Sequence, residues 1–135
     1  MMPIPSADDY ANEPVQHEPL EVVNVMAEQR RVTDPYRNMV LGRMNTSCLR
    51  LAVFEGDYRW HHHPHSDELF LVVEGRLEID LAEGEGNLAR PARTIALVPW
   101  EATVIPAGTV HRTRAIGRTV NLTFESIGAE TVFVD

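Results

Sequence analysis

The stretch Trp60-His61-His62-His63-Pro64-His65-Ser66-Asp67-Glu68-Leu69-Phe70-Leu71-Val72-Val73-Glu74-Gly75 decides how this chain is read. Four of its six histidines fall between positions 61 and 65, directly ahead of a carboxylate and a strand-like apolar run. Successive side chains on a strand point to opposite faces, so His61 and His63 share one face while Trp60 and His62 take the other. If residues 64 to 67 form a four-residue hairpin loop, His63 lies opposite Glu68 with Cβ atoms about 5 Å apart, and His61 faces Phe70. Two imidazoles and one carboxylate then meet at a single point, and a slip of one residue would scatter them.

Outward from this stretch the chain keeps the rhythm of short strands. Val22, Val23 and Val25 suggest a strand, and Met26 to Arg31 a turn of helix before Thr33-Asp34-Pro35 breaks it. Met39-Val40-Leu41 opens a further strand, Asn45-Thr46 a turn, and Leu49, Leu51 and Val53 alternate with Cys48, Arg50 and Ala52. Glu55-Gly56-Asp57 reads as a turn and Tyr58 to His63 as a strand that Pro64 ends. Later strands are expected over Glu68 to Val73, Leu77 to Leu81, Ile95 to Val98, Thr103 to Ile105, His111 to Ala115 and Thr119 to Phe124. Glu83-Gly84-Glu85-Gly86-Asn87 reads as a loop. Many short strands punctuated by Gly and Pro, without a long amphipathic helix or an internal repeat, indicate an all-β sandwich or barrel.

The 135 residues have room for one domain. Residues 1–19 carry four prolines and four acidic residues without an apolar repeat, and they are expected to form a flexible, irregular arm ahead of a single domain over 20–135. A formal net charge of −8 is unfavourable for a phosphate backbone or an anionic membrane surface, leaving small molecules and proteins as partners. The first residues lack the pattern of a signal peptide and no apolar run approaches bilayer length, so a cytoplasmic address is expected. The single Cys48 has no internal disulfide partner and reads as a packed thiol.

His111 follows Pro106-Ala107-Gly108-Thr109-Val110, where a tight turn delivers it to the start of a strand. On these residues together the chain resembles the cupin family. The family's first motif is Gly, His-x-His, three or four residues, Glu, six residues and Gly; here Gly56, His61-His62-His63, Glu68 and Gly75 follow it, with one residue fewer between Gly56 and His61. The second motif is centred on Pro-x-Gly-x-x-His, matched by Pro106, Gly108 and His111, whereas Trp100 and Ala115 stand where the family has Gly and Asn. The resemblance covers roughly Met39 to Glu125. It implies a double-stranded β-helix, or jelly-roll barrel, with His61, His63, Glu68 and His111 as metal ligands inside, and a homodimer formed through one sheet or an exchanged arm.

Three imidazole nitrogens and one carboxylate oxygen suit one divalent transition metal among Fe, Mn, Ni, Co, Cu and Zn better than Ca or Mg. An octahedral centre with four protein ligands keeps two positions open for water, substrate or dioxygen. The function expected is therefore that of an enzyme acting on a small organic molecule in the barrel, of dioxygenase type or of isomerase, cyclase or decarboxylase type. In the non-redox version Glu68 doubles as a base. A binding or sensory module without turnover is the alternative. Arg59, Phe70 and Thr113 are candidate substrate contacts, Val72 and Leu122 wall or core, His62 and His65 bystanders to the metal, and Trp60 and Trp100 packing or interface residues.

Overall fold

The computed structural model describes residues 4–11, 13–82 and 91–135. Among the described residues two short helices, α1 (Ala7–Ala11) and α2 (Val25–Arg30), precede nine strands: β1 (Tyr36–Met44), β2 (Ser47–Asp57), β3 (His61–His62), β4 (Glu68–Glu74), β5 (Leu77–Leu81), β6 (Arg93–Leu97), β7 (Ala102–Ile105), β8 (His111–Ser126) and β9 (Val132–Phe133). The loop expected over 83–87 lies outside the described residues.

One strand organises the rest. The second half of β8 pairs with β2 on one edge (Leu51↔Leu122) and with β4 on the other (Leu71↔Leu122). Its first half pairs with β5 (Ile79↔Thr113) and, at His111, with His61 of β3. The two halves were expected as separate strands divided at Gly117. They form one long strand, bent where Gly117 takes a φ of 76° that disfavours any residue with a Cβ. At that bend β2 advances only from Phe54 to Gly56 while β8 runs from Thr119 back to Ala115, so the register shifts in a bulge. The sheet curls about this joint into a double-stranded β-helix.

Both faces of β2 are buried over residues 50–54, which its alternation alone does not reveal. Ala52 and Phe54 point inward with Tyr36, Phe70, Val72, Leu77, Ile79, Leu97, Ile105 and Ala115. Leu51 and Val53 point the other way, into an outer layer with Met39, Leu41, Val73, Val120 and Leu122. Val25 and Met26 of α2, with Val23 and Val32, pack on that layer. The strand expected over Val22 to Val25 does not form, because Asn24 instead accepts a hydrogen bond from the Ala27 amide and starts α2. A six-residue helix is too short to persist alone, so its packing on the outer layer sustains it. Gly56 and Asp57, expected in a turn, belong to β2 at its bulge.

The segment after α1 lies along β1. Val15 forms a parallel bridge with Val40, Gln16 and His17 amides donate to the carbonyls of Val40 and Leu41, and Glu13 meets Arg50 at 2.6 Å.

On the face of β5 turned away from Leu77 and Ile79, Asp80 is buried among hydrogen-bond donors. It accepts from Arg112 Nε at 2.9 Å, Arg114 Nε at 2.7 Å and Nη2 at 3.0 Å, and Thr94 Oγ1 at 2.7 Å. Asp80 thereby joins three strands, β5, β6 and β8. The Arg112 guanidinium also lies 5.0 Å over the Trp60 ring, burying that tryptophan, whereas Trp100 is 73% exposed.

Candidate metal centre

The path by which the first motif reaches the site differs from a hairpin. β3 pairs with β8 and β9, whereas β4 pairs with β7 and β8, so residues 64–67 connect two strands that are not paired with each other. Two side chains pin that crossing. Ser66 Oγ accepts from the Ser126 amide at 3.0 Å, and Asp67 Oδ1 accepts from the Ala107 amide at 2.8 Å. The latter bond ties the first motif to the turn that carries the second, and the Gly108 amide adds a bond to the His63 carbonyl at 2.9 Å. Gly108 manages this with a φ of 80°.

His61, His63, Glu68 and His111 are all buried and converge: one ligand atom from each lies within 4.8 Å of the others. His61 and His111 are direct cross-strand partners with ring centroids 4.4 Å apart. Glu68 Oε1 lies 3.3 Å from His63 Nε2 and 3.5 Å from His111 Nε2. His63 itself sits just beyond the end of β3.

The rear nitrogen of each imidazole is held by the backbone. Nδ1 of His61 donates to the Arg59 carbonyl at 2.8 Å, that of His111 to the Thr109 carbonyl at 2.8 Å, and that of His63 to the Glu130 carbonyl at 3.1 Å. A carbonyl oxygen only accepts, so in the neutral ring the proton belongs on Nδ1 and the Nε2 lone pair is aimed inward. At that inward point His63 Nε2, His111 Nε2 and Glu68 Oε1 are buried without a hydrogen-bond partner among the described residues. Buried polar atoms left in this state are costly, and a shared divalent cation would satisfy all three. The donor set therefore fits a divalent transition metal.

The charges of the cluster express the same unmet need. Burial opposes ionisation of Glu68, but the His111 and His63 rings beside its carboxylate outweigh it and hold the carboxyl well below its usual range. Burial likewise opposes charging His63, yet Glu68 and then Glu125 raise it to about 9. His61 moves the other way, to about 3, through burial and then the charge of His111. Glu125 is pushed up to about 7 by burial and by the charge of Glu68, against the pull of Arg50 and His63.

The site opens into a cavity of about 60 Å³ inside the barrel. Phe70 and Thr113 line it, as do Tyr36, Phe54 and Tyr58. Arg59 is placed elsewhere: its guanidinium bonds Asp135 at 3.0 Å and covers the Phe133 ring at 4.0 Å. Val72 lies in the inner core and Leu122 in the outer layer. His65 is exposed and His62 only partly buried, neither among the converging ligand atoms.

The sequence reading missed the opposite wall. Arg50, buried in the cavity lining, is bonded through Nε to Glu125 at 2.6 Å and through Nη1 to Glu13 at 2.6 Å and Asn38 at 3.1 Å. Asn121, Thr123 and Glu125 stand on the same inward face of β8. A period-two polar series opposite Val120, Leu122 and Phe124 looks like a solvent face, and only the outer layer under α2 makes it an interior one. Ala129 and Thr131 also reach the cavity, from a segment with no distinguishing sequence pattern.

The fold and the cluster together describe a small β-barrel with a candidate metal centre. The chain belongs to the cupin family: the family model for the Cupin domain (Cupin_2) matches residues 50–127. It is 46% identical over 112 residues to the uncharacterized protein YdbB of Bacillus subtilis (strain 168), across 83% of this chain and 92% of that protein. It is 42% identical over 57 residues to the polyketide synthase CurC of Streptomyces cyaneus, across 42% of this chain and 31% of that protein. Among solved structures, a cupin-2 domain protein of Shewanella frigidimarina superposes with a TM-score of 0.68 at 28% identity, covering 78% of this chain and 94% of that one. Among the described residues no helix is long and apolar enough to cross a membrane.

Proposed function

We propose that this cupin is a metal-dependent enzyme that holds a small organic molecule in the barrel against a divalent transition metal bound by His61, His63, Glu68 and His111. The observation that carries the reading is the combination of three backbone-anchored Nδ1 atoms with inward-facing nitrogen and oxygen atoms that have no hydrogen bond among the described residues. A structural site would be expected to close its coordination with protein, whereas this one faces a cavity. When bound, the metal supplies Lewis-acid or oxygen chemistry to a substrate oxygen, in a reaction of dioxygenase type or of isomerase, cyclase or decarboxylase type.

The chain's own residues perform the remaining tasks. Thr109, Arg59 and Glu130 carbonyls orient the imidazoles, Phe70 sets its edge against His111 with centroids 6.1 Å apart, and the aromatic side of the cavity excludes water from the carbon skeleton. Glu68 acts as a ligand and is the candidate base. A cavity of about 60 Å³ is far below the roughly 300–1,000 Å³ of sites for drug-sized ligands, which points to a compact substrate.

The test is to purify the protein without an affinity tag that binds metal, measure its metal content, and follow oxygen uptake and product formation with small diketones, catechols and sugar derivatives. Stoichiometric metal with turnover supports the proposal. Metal with no turnover across these classes would favour a binding module, and no metal at any loading would end the proposal.

A further inference from the structure

Apart from the metal ligands, the buried side-chain atoms without a hydrogen-bond partner among the described residues include three on one face of one strand. They are Asn121 Oδ1, Thr123 Oγ1 and Glu125 Oε2. Their residues are 2%, 4% and 8% exposed, and all three line the cavity that contains His61, His63 and Glu68. Their spacing along β8 is two residues each time, so they form a straight row on its inward face. The row crosses the barrel between Arg50 of β2 and Phe70 of β4, which are the cross-strand partners of Thr123.

The atoms are chemically alike. An amide oxygen only accepts hydrogen bonds, a carboxylate only accepts when ionised, the form that the Arg50 bond at 2.6 Å favours for Glu125, and a threonine hydroxyl accepts or donates. The row thus presents acceptors to whatever fills the cavity. The nearby cation does not reverse this: Arg50 Nε is already engaged by Glu125 and its Nη1 by Glu13 and Asn38. A ligand carboxylate entering here would face Glu125 and Glu13 around that guanidinium, and would bring no proton for the row.

We propose that Asn121, Thr123 and Glu125 form a hydroxyl-recognition wall, so that the ligand of this barrel is a compact molecule whose alcohol or enol O–H groups donate to that wall. The inference rests on the reading of the barrel interior as a substrate site and adds the class of substrate. The aromatic side made by Tyr36, Phe54 and Phe70 receives the carbon skeleton, and one further ligand oxygen is left to face the histidines. A site built to satisfy O–H groups rejects an analogue that lacks them, because its acceptors then stay buried and unpaired.

Hydroxyacetone and butanone make the test, since they differ by a hydroxyl in place of a methyl. Binding of each is measured by ligand-observed NMR titration, in zinc-loaded and in metal-free protein. Hydroxyacetone is expected to bind about tenfold more tightly, the difference made by a single well-formed hydrogen bond, and Thr123→Val and Asn121→Leu should reduce that preference toward unity. Thermal melting of both variants should be unchanged or raised, because each removes an unpaired polar atom; Thr123→Val keeps the shape if Asn121→Leu does not fold. Equal or undetectable binding of the two ketones by the wild-type protein overturns the wall, as does a preference that survives in Thr123→Val and in Asn121→Leu. A hydroxyl preference in protein that takes up no zinc would overturn the metal reading and leave the wall standing, so the two failures are distinguishable.

Discussion

Two carboxylate clusters, Asp80 away from the cavity and Glu68 with Glu125 lining it, differ in completeness. Asp80, outside, receives bonds from two arginines and Thr94. Burial alone would raise its pKa, yet Arg114, Thr94 and Arg112 together lower it to about 2. Glu68 Oε1 and Glu125 Oε2, inside, are buried without a hydrogen bond among the described residues and face histidine nitrogens at 3.3 Å and 3.9 Å. A saturated cluster holds strands together, while an unsaturated one is a receptor for something the chain does not supply. Burial and charge are common to both, so the hydrogen-bond inventory is what separates scaffold from site.

The largest effect should come from removing a ligand on the inside. Glu68→Ala, His63→Ala and His111→Ala are each expected to lower metal affinity by about 100-fold or more, read as metal content after desalting, while His62→Ala keeps its metal. Equal loss in all four would break the assignment of the inward face. The outside cluster should respond in the opposite currency. Asp80→Asn is expected to cost about 3 kcal/mol in urea unfolding, since it leaves two arginines facing a lost charge, and to leave metal content unchanged.

Acid sharpens the same contrast. Because the folded-state pKa of Asp80 is depressed from 3.8 to about 2, its contribution to stability is complete above pH 3.8 and is lost as pH falls through about 2. In an acid titration of unfolding free energy, Asp80→Asn should therefore differ from wild type at pH 5 and converge with it near pH 2. Smallest of all, Asn24→Ala should cost about 1 kcal/mol in a melting experiment by removing the cap of α2, with both carboxylate clusters undisturbed.

Strand alternation was enough to place His61 and His63 on one face, and the motif resemblance was needed to bring in His111 from beyond the turn at Gly108. The pairing was not legible. A hairpin was the simplest way to bring His63 and Glu68 together, but β3 and β4 do not pair; His63 lies just beyond β3, and Ser66 and Asp67 fasten the crossing to β4. The all-β class and many short strands could be read from turn residues and periodicity. What escaped was which face of β2 and β8 is interior, because Leu51 and Val53 look like core and indeed are, in a second layer covered by α2. Arg50, Asn121, Thr123 and Glu125, which alternate with these apolar residues, therefore carry no sign in the sequence that they line the cavity. Where both faces of a strand are buried, polarity no longer tells inside from outside.

The bend at Gly117 carries an evolutionary consequence. It separates β8 into a half bearing His111 and Thr113 and a half bearing Asn121, Thr123 and Glu125, and the bulge there absorbs a change of register between them. An insertion of a single residue within either half would turn its functional side chains out of the barrel. At the bend, a change in length would be absorbed before it reached either half. Changes of length confined to the bend would thus leave the half bearing His111 and the half bearing Asn121 each in its own register.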